Sequence, residues 1–275
     1  MGRSNVIGTC ELCKAENVIL ENSHIISKLV YRRLKEKQNS RFRNFFDIEH
    51  FQQDGEKEYL LCGECEDKFS KYETDFANKF LNPYLKNDKM ENLDYKKYDN
   101  FIYSINWRII NSELRKIKID GSNKGLDIDE LENLENVLKT HLNNNLEGNI
   151  KNVKNYILYL DDLKLDNEIK FIYKNFVFGY VFGTDKSRKY IIMTHFLGII
   201  LVTVYERDIE FIDMSSNLIE KIKYWILYKN KIDRFISDEL ELYLKNCIYP
   251  QAVSNEDIMR SKPEIRESII KRYEN

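Results

Sequence analysis

The feature that most constrains the fold of this chain is the presence of two short cysteine motifs. Cys10 and Cys13 form one Cys-x-x-Cys motif, and Cys62 and Cys65 form the other. A tetrahedral zinc site needs four sulfurs about 2.3 Å from the metal, and a two-residue spacing lets one tight turn or one helix start supply two of them. Inside a cell, paired motifs of this kind favour a metal over a disulfide. We predict one structural Zn²⁺ bound by all four; the alternative is two pairs without a common metal.

The segments beside the cysteines follow the order of a small zinc-binding fold. Residues 10–13 predict a knuckle and residues 17–22 a strand. Residues 49–61 predict a hairpin turned at Asp54-Gly55, a dipeptide with a strong hairpin preference. The second cysteine pair then opens a helix predicted to reach about Phe80. A knuckle, a hairpin and a helix that carries the second pair make up a treble clef.

The composition and a dipeptide that typically ends a segment indicate two folded domains. The 275 residues are 43% apolar, which suffices for one large or two modest cores. Only 3 prolines and an aromatic content of 13% exclude collagen-like, low-complexity and wholly disordered chains. Asn82-Pro83 is a typical end of a segment. We therefore predict an α+β fold, with a treble-clef zinc module in residues 1–90 and a mixed domain of helices and an antiparallel β-meander in residues 91–275.

The predicted secondary structure of the second domain changes along the chain, from helices to strands and back to helices. A helix is expected from Asp99 or Asn100 to about Lys118, and apolar periodicity predicts another across residues 131–142. Aromatic and β-branched runs then predict the strands of the meander. These runs cover residues 156–160, 171–173, 176–182 and 190–205, and three closing helices are expected at about 214–229, 232–246 and 255–273.

Charge and hydropathy restrict the predicted cellular location of the protein and the ligands that it can bind. The chain has 43 Lys and Arg residues and 45 Asp and Glu residues, which gives a net charge of -2. Any site that binds a polyanion must therefore be a local basic patch. The first ten residues lack the apolar core of a secretion signal. The longest apolar stretch, residues 190–205, falls short of the roughly 20 residues that span a bilayer. We expect a cytoplasmic protein without membrane contact.

One dense basic stretch lies between the two cysteine pairs. Tyr31, Phe42 and Phe45 are interleaved with it. Cationic side chains that neutralise phosphates supply most of the sequence-independent affinity for nucleic acid, so this stretch predicts contacts to a nucleic-acid backbone. The alternative is an ordinary solvated helix face. The residues predicted to bind nucleic acid, with DNA as the expected partner, are Lys28, Arg32, Arg33, Lys35, Arg41 and Arg43.

Candidate catalytic residues also lie near the cysteines. Glu66, Ser70 and Glu73 share one face of the predicted second-pair helix, and two carboxylates on one face can hold a divalent cation through oxygen. The alternative is an acidic face that favours the helix N-terminus. His24 follows the first predicted strand, where it would face the start of that helix. His50, just ahead of the predicted hairpin, is a further candidate metal ligand.

The knuckle, the strand that ends in His24-Ile25-Ile26 and the helix opened by Leu61-Cys62 resemble the HNH nucleases of the ββα-metal group, over roughly residues 8–80. The resemblance implies that His24 activates water for attack on a phosphodiester in DNA. It implies a single Mg²⁺ or Mn²⁺ that stabilises the phosphorane charge and the leaving oxygen. By analogy it also suggests a bacterial role in defence against foreign DNA.

The sequence departs from the HNH pattern at several positions. Ser23 stands where family members often carry an acidic residue or a second histidine, and Ser27 where proline is frequent. The last helix lacks the expected His or Asn, which leaves Glu66, Ser70 and Glu73 as substitutes. Two alternatives stay open: an inactive zinc-clef module that binds nucleic acid, and a structural zinc protein that mediates protein interactions. Residues 91–275 are expected to recognise a ligand, to position the nuclease module, or to mediate homo-oligomer or partner-protein contacts.

Overall fold

The computed structural model describes nine ranges of the chain, all within residues 5–206. Several predictions from the sequence lie outside them, namely Arg41, the strand at 171–173 and the three closing helices. The described ranges are 5–37, 42–44, 47–52, 54–86, 95–121, 126–146, 150–160, 177–184 and 189–206, with backbone alone at 37, 42–44, 47–52, 95–96, 182–184, 189 and 206. Within these ranges the fold is α+β with antiparallel sheets and an N-terminal cysteine cluster, as predicted at that level.

The helices and strands alternate in blocks along the chain. A π-helical turn, Ala77–Leu81, joins α2 to α3, and a 3-10 turn, Tyr95–Tyr98, precedes α4. The described helices are α1 Lys28–Lys37, α2 Gly63–Phe76, α3 Asn82–Leu85, α4 Asp99–Asp120 and α5 Ile128–Asn143. The described strands are β1 Val6–Gly8, β2 Val18–His24, β3 Phe42–Asn44, β4 Asp47–Gln52, β5 Lys57–Cys62, β6 Val153–Tyr159, β7 Phe178–Thr184, β8 Lys189–Phe196 and β9 Ile199–Glu206.

The N-terminal sheet has the strand order β1-β2-β5, and β3 pairs with β4 in a separate ribbon. The predicted hairpin at 49–61 is therefore wrong, because Asp54-Gly55 connects strands of two different sheets. β5 instead lies against β2, which sets Leu20 opposite Cys62 and His24 opposite Lys57. Gly55 is still required, since a Cβ there would lie 2.0 Å from the ring of Tyr31.

α2 packs its aromatic face against α4. The Phe76 ring stacks on Phe101 with centroids 3.9 Å apart, and Phe69 meets the edge of Trp107 at 5.9 Å. α4 ends at Asp120, two residues beyond the predicted Lys118, and the next residue, Gly121, has a positive φ of 70° that suits glycine and an N–H that bonds the Ile117 carbonyl at 2.8 Å. One continuous hydrophobic cluster contains core residues from both sides of residue 90, so the two predicted domains share a core within the described ranges.

The second sheet has the order β6-β9-β8-β7, which includes the predicted antiparallel meander. A chain of four polar side chains, here called the polar chain, joins α4 to this sheet; Asp99, Asn106 and Thr203 are buried and Asn155 is half-buried. Asn106 donates to Thr203 Oγ1 at 2.6 Å, Thr203 donates to Asn155 Oδ1 at 2.7 Å, and Asn155 donates to Asp99 Oδ1 at 2.7 Å. Each member has a partner, so the chain fixes the helix on the sheet without orphaned groups.

None of the helices in the described ranges combines the length and the apolar character needed to cross a membrane.

Candidate functional site

The two cysteine motifs meet at one end of the N-terminal sheet. The four Sγ atoms of Cys10, Cys13, Cys62 and Cys65 all lie within 4.8 Å of one another, and those of Cys13 and Cys62 are 3.8 Å apart. Four sulfurs around a tetrahedral Zn²⁺ at about 2.3 Å stand about 3.8 Å from each other. The predicted four-cysteine cluster is present, and its size is compatible with zinc.

Local backbone geometry explains how each motif presents two sulfurs. Around the first motif the Lys14 N–H bonds the Cys10 carbonyl and the Cys10 N–H bonds the Ala15 carbonyl, both at 2.9 Å. Lys14 has a positive φ of 61°, which closes the knuckle. In the second motif Cys62 ends β5 and Cys65 lies in the first turn of α2. The pairing of β2 with β5 then brings the two motifs together.

The sulfurs strongly perturb one another. A hydrogen bond from the Cys65 thiol lowers the pKa of Cys10 to about 4, and the Cys62 N–H also donates to Cys10 Sγ at 3.3 Å. The same contact raises the pKa of Cys65, and burial raises that of Cys62. Neighbouring thiolates repel each other, and a divalent cation relieves that repulsion when it displaces the protons.

His24 is the last residue of β2, and its ring is largely buried. Its Nε2 lies 2.8 Å from Oδ1 of Asp54, while Lys57 Nζ lies 2.5 Å from the other oxygen of that carboxylate. Burial lowers the pKa of His24, and the bond with Asp54 opposes this shift. Burial raises the pKa of Asp54, but hydrogen bonds from Lys57 and His24 outweigh it and hold that pKa below its ordinary value. The ring is therefore neutral near pH 7 and held by a carboxylate.

The acidic residues of α2 have other partners. Ser23 donates to Glu66 Oε2 at 2.7 Å, and Arg108 of α4 donates to Glu73 Oε1 at 2.8 Å. Burial raises the pKa of Glu66, against the effects of the Ser23 hydrogen bond and the Arg108 charge. The carboxylate that bonds the His24 ring is thus Asp54, and the guanidinium of Arg108 neutralises Glu73.

The predicted basic residues differ in their exposure. Lys28 and Arg32 are exposed on α1, and the positive charge of Lys28 contributes to the lowered pKa of His24. Arg33 is half-buried and already bound, because it donates to Asn82 Oδ1 and to Glu36 Oε2, both at 2.7 Å. Lys35 is also half-buried. The side chains of Arg43 and His50 lie outside the described part of the structure, as does Arg41.

Asp54 and Arg108 are two residues near His24 that the sequence does not single out for this site. In the sequence, Asp54 stands out only as half of a turn dipeptide. Arg108 had a detectable signal, because it is a lone cation on the apolar side of the predicted α4 helix, next to Ile105 and Ile109. Charged residues are almost never fully buried unless they are paired, so a cation in that position predicts a buried partner.

The cysteine cluster is the one group of three or more His, Cys, Asp or Glu ligands close enough to hold a metal in the described ranges. The chain matches no protein-family model, and no curated protein or solved structure is significantly similar to it. Any functional conclusion therefore depends on the geometry of the site.

Proposed function

We propose that this chain is an endonuclease of the HNH type, with a treble-clef zinc module that carries His24 as the general base for hydrolysis of DNA. The observation that carries the proposal is the pair formed by His24 and Asp54, 2.8 Å apart, at the end of a strand anchored beside the cysteine cluster. A structural zinc ion would hold β5 and α2 in place. Defence against foreign DNA in a bacterial cytoplasm is the role that this proposal suggests by analogy.

The pair supplies what general base catalysis requires. Asp54 accepts a hydrogen bond from Nε2–H, which fixes the tautomer that keeps a lone pair on Nδ1. Because burial lowers the pKa of His24, this lone pair is available at neutral pH. Lys28 and Lys57 act electrostatically on the ring, so a phosphodiester would meet positive charge beside the base.

The same proposal assigns the catalytic cation to the acidic face of α2. Glu66 and Glu73 are the oxygen ligands expected to bind Mg²⁺ or Mn²⁺, with His50 as a further candidate. When bound, such an ion stabilises the negative charge that develops on phosphorus and on the leaving oxygen. Ser23, hydrogen-bonded to Glu66, holds that carboxylate beside the strand that carries His24.

A plasmid cleavage assay tests the proposal. The full-length protein should nick supercoiled DNA in Mg²⁺ or Mn²⁺, and H24A should slow nicking by at least about 10²-fold, the usual contribution of a general base. H141A is the matched control: His141 is also a buried histidine, but it hydrogen-bonds Asn100 rather than a residue near β2. Cleavage that survives H24A would overturn the assignment.

A second candidate function is a catalytically inactive zinc module that binds nucleic acid. Two observations favour it. The Arg108 guanidinium already neutralises Glu73 where a metal ion is expected. Ser23, which bonds Glu66, and His24 are also successive residues of β2, whose side chains point to opposite faces of the strand. DNA binding without cleavage in either metal would support this candidate and exclude the endonuclease. A protein that neither binds nor cleaves DNA would exclude both.

A further inference from the structure

Arg108 is the most completely buried cation with an assigned partner in the described part of the chain. Its side chain is 1% exposed, and its guanidinium lies over the ring of Phe69 at 5.2 Å. Three of its nitrogens donate hydrogen bonds to three different elements. Nη1 bonds the main-chain carbonyl of His24 at 2.9 Å, Nη2 bonds Glu73 at 2.8 Å, and Nε bonds the Ser104 carbonyl at 3.1 Å.

This geometry links α4 to the end of β2 and to the acidic face of α2. A guanidinium is planar and directs its donors in fixed directions, so all three acceptors must stay in one arrangement. A buried cation whose partners move away is strongly destabilised, which makes the arrangement selective. The main chain of His24 is therefore held from one side by Arg108, while its ring is held by Asp54.

We propose that Arg108 is a positioning residue for His24. It sets the direction of the His24 main chain, and it keeps Glu73 beside the same strand end. The site is then completed by α4, which lies beyond residues 1–90. This inference rests on the proposed role of His24 as a general base.

Steady-state cleavage by R108K and R108Q tests the proposal. Lysine keeps the charge but loses the planar fork, and glutamine loses both. We expect R108Q to lower kcat by about 10²-fold, the cost of a displacement near 1 Å at a reacting group, with KM changed less than about twofold. R108K should recover part of kcat. R115Q is the matched control on the same helix, because Arg115 is 43% exposed and pairs with Glu58.

The split between kcat and KM separates positioning from general support of the fold. In R108K, a lower kcat with unchanged KM, zinc content and Tm supports positioning. A parallel loss of zinc, Tm and DNA affinity would overturn it, because Arg108 would then only stabilise the structure. An R108Q enzyme with the kcat of the wild type would also overturn it.

Hydrogen exchange supplies a readout that does not need cleavage. The Ile25 N–H, adjacent to His24, bonds the Glu56 carbonyl at 3.0 Å. R108Q should speed exchange at Ile25 at least tenfold, whereas R115Q should leave it unchanged. If the wild type does not cleave DNA, the proposed function fails, and faster exchange in R108Q would still identify Arg108 as the residue that holds this strand end. Unchanged exchange in R108Q would overturn the inference.

Discussion

Two adjacent side chains at the end of β2 have different acidic partners. Ser23 bonds Glu66 of α2, and His24 bonds Asp54, which precedes β5. Successive residues of a strand point to opposite faces, so a single carboxylate does not serve both. This alternation explains why the ring that was expected to face α2 is held by a residue of the loop before β5.

The pH dependence of cleavage should follow the protonation of His24. Burial lowers its pKa below the ordinary value, so kcat/KM should rise with pH along a limb centred below about 6.5 and level off near neutrality. D54N removes an interaction that raises this pKa, so the limb should move to lower pH while the maximum rate falls. K57A removes a positive charge that lowers the pKa of His24, so the limb of the K57A profile should move to higher pH. Profiles that do not shift in these two directions would contradict the assignment.

Arg32 and Arg33 should differ in DNA binding although they are adjacent. Arg32 is exposed, so R32A should weaken binding and reduce the slope of log K against log salt by about 1. Arg33 is bound to Asn82 and Glu36, so R33A should instead lower the free energy of unfolding by about 1–2 kcal/mol. Fluorescence anisotropy at several salt concentrations and urea denaturation measure the two effects. Equal salt slopes in the two variants would contradict this distinction.

Residue types and local spacing predicted the four-cysteine cluster and placed His24 at a strand end. They did not predict Asp54 or Arg108 as partners of His24. Arg108 lies 84 positions from His24 along the chain, and their contact depends on how α4 docks against β2. That docking is set by tertiary packing, which no local pattern encodes.

At the scale of elements, β2, β5 and α2 form one unit closed by the cysteine cluster. The helices α2, α4 and α5 could be predicted because their apolar periodicity and end residues are local. The hairpin prediction failed because Asp54-Gly55 encodes a turn but does not choose which strands pair. The buried residues Leu60 and Leu61 favour the position of β5 beside β2 over pairing with β4.

Metal removal should test this unit directly. The purified chain should contain one zinc per molecule, and C65S should lose it and unfold at a lower temperature, because three sulfurs no longer complete the tetrahedron. C247S should keep its zinc, since that cysteine belongs to neither motif. Elemental analysis and thermal melts with and without a chelator measure the outcome. Full zinc content in C65S would contradict a four-cysteine site.

At the scale of the whole molecule, one core extends across the boundary predicted at residue 90. Phe76 contacts Phe101, Phe69 contacts Trp107, and the ring centroids of Tyr84 and Tyr159 are 5.4 Å apart. The sequence indicated a boundary because Asn82-Pro83 is a typical end of a segment. A dipeptide of this kind is a local signal, and it does not determine whether the parts of the chain on either side share one core.

A fragment of residues 1–90 should therefore fold poorly. Without α4, the buried faces of Phe69, Phe76 and Phe80 would be exposed to water, and Glu73 would lose Arg108. We expect the zinc-loaded fragment to bind a hydrophobic dye and to lack near-UV circular dichroism, in contrast to the full chain. A cooperative thermal transition in the fragment would show instead that it folds independently.

The polar chain has a consequence for folding fidelity. If β9 slipped by one residue along β6, Thr203 would turn to the other face of the sheet. Asn106, which is buried, would then lose its hydrogen-bond acceptor, and the half-buried Asn155 would lose its donor. Mispaired versions of this sheet are thus penalised at a single point. A T203V substitution should impose the same loss on the correct alignment and so narrow its advantage over the others.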